Sequence, residues 1–265
     1  MSTKLENDEL FSEAWSKFNE VITSDEDAAD AIFQFLQQEN EIDCGCAQPQ
    51  ILRERGERCF NCKTCKSEVW FTAGTLFAGV SRLRAWMAAV WFKEWGVAVS
   101  SLRLSRLLDI AQSTALNINK KVAIAVVSQM DEAAMRIDPR RFSDVIFRRS
   151  RHTPADEHPR SELPDETVLD VDSRRRIDLT NFQLSSSTQQ VTVSIAIAAA
   201  IAFIRKYFHG VSHKYLQVYL GAFWCHSDRI KWNQGMVLRA CLKHQPISYL
   251  DLLHYEAPEI RMMLT

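Results

Sequence analysis

Five cysteines fall within 22 residues of this chain, Cys44, Cys46, Cys59, Cys62 and Cys65. Closely spaced thiols in a reducing compartment most often hold zinc, and Cys62-Lys-Thr-Cys65 is the C-x-x-C knuckle in which backbone amides can support thiolates. The partner knuckle, Cys44-Gly45-Cys46, is one residue short, although Gly45 permits a tight turn. Cys59 is a spare, able to replace one ligand or to stay unused. The expected ligand set is Cys44, Cys46, Cys62 and Cys65, holding a structural Zn2+ because sulfur would fill all four positions. Small buried thiols without metal are the alternative. A redox role is disfavoured, since no βαβ pattern surrounds the knuckle.

Compartment and class follow from the same residues. The total of seven cysteines is odd, and the opening MSTKLENDEL is polar and acidic, unlike a secretory leader. A disulfide scaffold is therefore not expected. The longest apolar run, Val191 to Ile204, spans 14 residues and contains Thr192 and Ser194. That is short of the roughly 20 needed to cross a bilayer. The expectation is a soluble, intracellular chain with no membrane partner.

Charge is near balance overall but unevenly placed. Residues 1–43 carry twelve acids against two lysines, so the remainder has a net charge of +9. An acidic head on a basic body fits a polyanion binder whose head avoids the phosphates or covers the site, and equally a solvated acidic helix pair.

Hydrophobic spacing predicts a mainly α fold with small β. Residues 1–41 read as an acidic helical head, with Leu10, Trp15, Phe18 and Val21 on one helix and a second starting at a Ser24 cap. Residues 42–80 form the cysteine segment, a zinc ribbon with strand-like pieces at Gln50–Arg53 and Val69–Thr72. Residues 81–137 read as three helices: 83–95 stopped by Gly96, Leu102 to Leu108 capped by Ser100 or Ser101, and Gln112 to Met135. A short Asp109-Ile110-Ala111 turn before the last gives the spacing of a helix-turn-helix. Residues 138–205 are rich in Arg and Pro, a short mixed or irregular region. Val191 to Ile197 alternates like a strand, while the alanine-rich run after it suits a buried helix. Residues 206–265 make a helical tail, with helices expected at 212–226, 233–244 and 248–255.

In a helix-turn-helix the third helix faces the major groove, so Gln112, Ser113, Thr114 and Asn117 at its start are the expected base readers. Lys120 and Lys121 one turn on, and Arg103 and Arg106 on the preceding helix, suit phosphates. Between residues 51 and 124 twelve basic residues face five acidic ones, as contact with double-stranded DNA requires. Each of these residues alone fits a solvated polar face. Trp86, Trp91 and Trp95, with Met87, Val90 and Phe92, read as core and not as a stacking platform. His209 and His213 read as tail packing or surface.

The run Cys62-x-x-Cys65, Phe71-Thr-Ala-Gly-Thr-Leu-Phe77, Leu83-x-x-Trp86, Gly96 to Ser100 and Leu104 to Ala115 resembles bacterial insertion-sequence transposases that begin with a zinc ribbon. The likeness spans residues 42–130. A second stretch, Phe208-His-Gly-Val-Ser-His-Lys-Tyr-Leu to Tyr219 and then Asp228-Arg229, looks like the end of such proteins. The resemblance implies a zinc ribbon, a helix-turn-helix and a nuclease core of the RNase H type with an acidic DDE set, in a bacterial cytoplasmic, nucleoid-associated protein. It leaves a homo-oligomer open.

Departures from the family pattern shape the functional expectation. Only about 70 residues separate the helix-turn-helix from the family-like tail, too few for a core that gathers three acids on two Mg2+ ions. The nearest acids are Asp170 and Asp172, in Val-Leu-Asp-Val-Asp. Where the family would favour an acid after Tyr219-Leu220, this chain has Gly221-Ala222-Phe223. The expectation is a DNA-binding protein of transposase descent without strand-transfer chemistry and with no catalytic residues. Two alternatives stand: an active compact transposase using Asp170 or Asp172 with Mg2+, and a zinc-stabilised protein-interaction module. No nucleotide-binding glycine loop, H-E-x-x-H pair or nucleophile elbow points to another enzyme class.

Overall fold

A computed structural model describes residues 2–142, 187–208 and 211–263. Its described part is mainly helical with a few small strands. The first helix, α1 (Ser2–Val21), buries Phe11, Ala14 and Phe18 along one stripe. Ser24 caps α2 (Asp25–Gln38), its hydroxyl accepting from the Asp27 backbone at 3.1 Å, with Asp25, Glu26 and Asp27 at the positive end of the helix dipole. The apolar faces of both helices join one cluster with the helix that follows the cysteine segment.

That segment is a three-stranded antiparallel sheet in the order β1 (Ile51–Leu52), β2 (Cys59–Cys62), β3 (Glu68–Trp70). Two strand residues cannot bury a core of their own, and the sheet leans on α2. Phe60 packs against Phe33 with ring centroids 6.1 Å apart, and Arg53 lies over Phe33 while pairing with Asp30 at 2.6 Å.

Next comes α3 (Leu83–Glu94), with nine of its twelve residues buried because neighbours cover it on several sides. Phe11 stacks on Phe92 at 5.1 Å, and the Trp91 indole donates to the Ala14 carbonyl at 2.8 Å. Trp86, Met87, Val90 and Phe92 are buried and Trp91 and Trp95 pack against the same cluster, so the tryptophans are core. The chain turns at Gly96, with φ +66, and Ser100 caps α4 (Ser101–Leu108). Asp109 then takes a left-handed conformation, φ 49, and redirects the chain into α5 (Gln112–Val127).

The third expected helix is shorter than the sequence suggested, ending at Val127 and not at Met135. Past it, the Asp131 carboxylate accepts from the Ala133 backbone at 2.9 Å, a local bond that competes with helix continuation. Met135–Arg136 instead forms β4, paired antiparallel with β5 (Arg261–Met262) near the end of the chain. A long-range strand pair thus outweighs the helix propensity of Glu132-Ala-Ala-Met135.

The run that read as strand or buried helix is a helix, α6 (Ser187–Phe208), with Val193, Ile197, Ala200 and Ile204 buried on one face. It packs against α7 (Leu216–Ser227), which starts four residues later than expected, behind a short 3-10 turn at His213–Tyr215. Two more helices follow, α8 (Met236–Lys243) and α9 (Tyr249–Leu253), the latter held by a capping box between Ser248 and Asp251. α7 crosses α5 so closely that a Cβ on Gly221 would lie 2.6 Å from Val127 Cγ2 and 3.1 Å from the Ala123 carbonyl. Gly221 therefore has a packing reason to be glycine. Among the described residues no helix is long and apolar enough to cross a membrane.

Candidate functional site

The thiols of Cys44, Cys46, Cys62 and Cys65 all lie within 4.8 Å of one another. Local backbone chemistry brings them together. Asp43 Oδ1 accepts from the Gly45 backbone at 2.6 Å, and Gly45 at φ +80 reverses the chain so that Cys44 and Cys46 approach to 3.1 Å. Cys46 is 3.5 Å from Cys62, which ends β2. Lys66, at φ 62, closes the second turn, with its N–H donating to the Cys62 carbonyl. Thr64 Oγ1 then ties that turn to the first by donating to the Gln48 carbonyl at 2.9 Å.

This group can hold a metal ion. Sulfurs about 2.3 Å from a tetrahedral zinc stand roughly 3.8 Å apart, and the separations here bracket that value, so the donor set is compatible with zinc. The thiols are not equivalent. Cys62 is drawn down to about 5, first by the Cys65 backbone N–H, whereas Cys46 is pushed up to about 12, first by its neighbour Cys44. Cys65 is also lowered, first by its bond with the Ser67 hydroxyl at 2.8 Å. Strand alternation explains why Cys59 stands apart: two consecutive pairs along β2 put Cys59 and Asn61 on one face, Phe60 and Cys62 on the other. Burial and the carboxylates of Glu68 and Glu57 push the Cys59 thiol up.

The expected DNA-contacting residues divide into two sets. Gln112, Ser113 and Thr114 are exposed at the start of α5, Arg106 is exposed on α4, and Asn117 is half-buried. Arg103, Lys120 and Lys121 are engaged within the chain. The Arg103 guanidinium sits 3.3 Å from the Phe11 ring centroid and pairs with Asp8. The Lys120 ammonium lies 3.4 Å above Tyr215, and burial lowers its pKa to about 8. Lys121 donates to the Ile247 carbonyl, and its pKa too is lowered by burial. Asp170, Asp172 and His209 lie outside the described residues, as does most of 138–205; His213 is exposed.

A reciprocal capping pair at the centre of the fold was not foreseen from the sequence. Glu94, 8% exposed at the end of α3, accepts from the Leu238 backbone at 2.9 Å and so caps α8. Burial raises its pKa to about 7, partly opposed by the amides of Leu238, Gly235 and Val237. In return Arg229 donates to the α3 carbonyls of Lys93, at 3.2 Å, and Glu94. Asp228 beside it accepts from the Lys231 backbone at 2.9 Å and from the Trp224 indole at 3.2 Å. The Asp228-Arg229 pair therefore has structural work within the tail. The one signal available beforehand was a charged Lys93-Glu94 pair ending an otherwise apolar helix.

No protein-family model matches the chain, and neither a curated protein nor a solved structure does.

Proposed function

We propose that this chain is a sequence-specific DNA-binding protein of transposase descent, in which a structural zinc ribbon buttresses a helix-turn-helix and strand-transfer chemistry is absent. The observation that carries this reading is the order of parts. Four clustered thiols at the end of a small sheet and in the turns beside it lead into α3, and a left-handed turn at Asp109 then delivers α5 with Gln112, Ser113 and Thr114 exposed at its start. Those side-chain types can pair with base edges, and Arg106 next to them suits a phosphate. The thiolate cage supplies rigidity, since four sulfur ligands leave no coordination position for water.

Fluorescence anisotropy with a pool of random-sequence duplexes, followed by selection of the retained duplexes, tests the reading. Expected is binding that weakens by orders of magnitude between about 50 and 200 mM salt, with a consensus that blurs in Gln112→Ala/Thr114→Ala. Affinity that is weak at low salt and untouched by Arg106→Glu would overturn it. Mn2+-dependent nicking lost in Asp172→Asn would instead favour a compact active transposase.

A second reading, a zinc-stabilised protein-interaction module, is favoured by one observation. Three of the expected phosphate contacts, Arg103, Lys120 and Lys121, are occupied by partners inside the chain.

A further inference from the structure

A cavity of about 460 Å3 lies between α3, α4 and α5 on one side and α6 and α7 on the other. Its walls are largely apolar, with Phe92, Leu116, Phe203 and Val218 among them, and its volume is that of a small-molecule site. Two lysines line it, Lys93 and Lys120, and no acidic residue does so among the described residues. Between helices of a bundle, an apolar space with a few convergent polar groups is where ligands bind.

Lys93 is the informative residue. Among the described residues its ammonium has neither a hydrogen-bond acceptor nor an ion-pair partner. Burial lowers its pKa, opposed only by the thiols of Cys225 and Cys241, yet the side chain keeps partial exposure. Lys93 is among the residues that line the cavity. The Arg229 guanidinium, donating to the Lys93 and Cys225 carbonyls, adds positive charge behind it. Lys120 has the Tyr215 ring beneath it and feels Lys214, another cation. A desolvated cation without a counter-charge is costly, and an anion that entered this space would supply one.

We propose that this cavity binds a small organic acid, an apolar body carrying one carboxylate, with Lys93 as the anion contact. The apolar walls take the body of the ligand, and the carboxylate supplies the counter-charge that no described residue supplies. Asn119, whose side-chain amide donates to the Val99 carbonyl at 3.2 Å, is a further polar residue on the cavity wall. Ser101, Leu102 and Gln112 also border the space, so an occupant would lie against the start of α5. The proposal does not depend on DNA binding, and its test contains no DNA.

The full-length protein is titrated with 8-anilinonaphthalene-1-sulfonate, followed by fluorescence, and the bound probe is displaced with octanoate or with 1-octanol. Expected is saturable one-to-one probe binding, with octanoate displacing it at least about tenfold better than octanol, the worth of one charge-assisted hydrogen bond. Lys93→Met should abolish that preference while keeping a cooperative thermal transition. Ala222→Phe, which adds a ring at the cavity wall, should exclude probe and octanoate together. If Lys93→Met fails to fold, Lys93→Gln, which keeps a polar end without the charge, reads the same preference. Equal displacement by acid and alcohol in the unmodified protein, a preference that survives Lys93→Met or its substitute, or the lack of saturable probe binding would each overturn the proposal.

Discussion

Arg103 on α4 and Asp8 on α1 are paired, Nη1 to Oδ1 at 3.0 Å, with the guanidinium laid over Phe11 of the same helix. The acidic head is therefore in contact with an arginine that, in the proposed DNA-binding unit, would face a phosphate. Both side chains are 40–50% exposed, so the pair contributes little to stability and can be exchanged for another anion.

Asp8→Asn should accordingly change the unfolding free energy by less than about 1 kcal/mol. Affinity for random duplex at low salt should rise by roughly threefold, and the gain should shrink as salt screens the competition. Unchanged affinity at low salt would show that the head does not compete with phosphates at Arg103. Anisotropy titrations at two salt concentrations measure both outcomes.

Metal content separates the five clustered cysteines. The purified protein should carry one zinc per chain, and Cys62→Ser or Cys65→Ser should lose it together with several degrees of Tm, because ligand binding to the folded state is folding free energy. Cys59→Ser should keep the metal, since strand alternation turns Cys59 to the other face of β2. Elemental analysis of the three variants decides. Zinc lost from Cys59→Ser and kept in Cys62→Ser would reverse the assignment.

Glu94 gives the fold a pH dependence of known sign. Its folded pKa of about 7 lies above the ordinary 4.5, so the folded state holds a proton that the unfolded chain releases between those values. Stability from this group is thus full below about 4.5 and falls as pH rises towards 7. Glu94→Gln stays neutral and can still accept from Leu238, so its unfolding free energy should gain on the parent protein's from pH 5 to pH 8 by on the order of 1–3 kcal/mol, read as a widening gap in Tm. Parallel Tm profiles across that range would refute a buried, proton-holding Glu94.

Gly221 is fixed by the α5–α7 crossing. Gly221→Ala places a methyl against Val127 and the Ala123 carbonyl and should cost about 1–3 kcal/mol, read from urea unfolding. Gly221→Asp should be worse, since it buries a charge in the same contact. A neutral Gly221→Ala would mean that the two helices can separate at no cost.

Much of the local structure was legible in the chain. Ser24 was readable as a cap, and Ser100 as one of two candidates with Ser101, because an N-cap needs only a hydroxyl within three residues of an orphan amide. The four clustered thiols were readable from spacing, since two tight turns bring near neighbours together whatever the rest of the fold does. Cys59 needed the strand: only the phase of β2 says which face it takes. The end of α5 was misjudged because helix propensity says nothing of a strand partner more than a hundred residues away.

What depends on neighbours a few residues apart was therefore set by the chain's own order: helices α1 to α4, the serine caps of α2 and α4, the cysteine group and the exposed start of α5. Tertiary structure alone decided which charges face outward. Lys120 and Lys121 sit at a helical spacing that suits phosphates, yet Tyr215 and Ile247 claim them, and Lys93 ends an apolar helix only to line a cavity. A side chain's chemistry is written in its own residue, but its solvent and its counter-charges come from segments folded against it, and those distances are absent from a linear string.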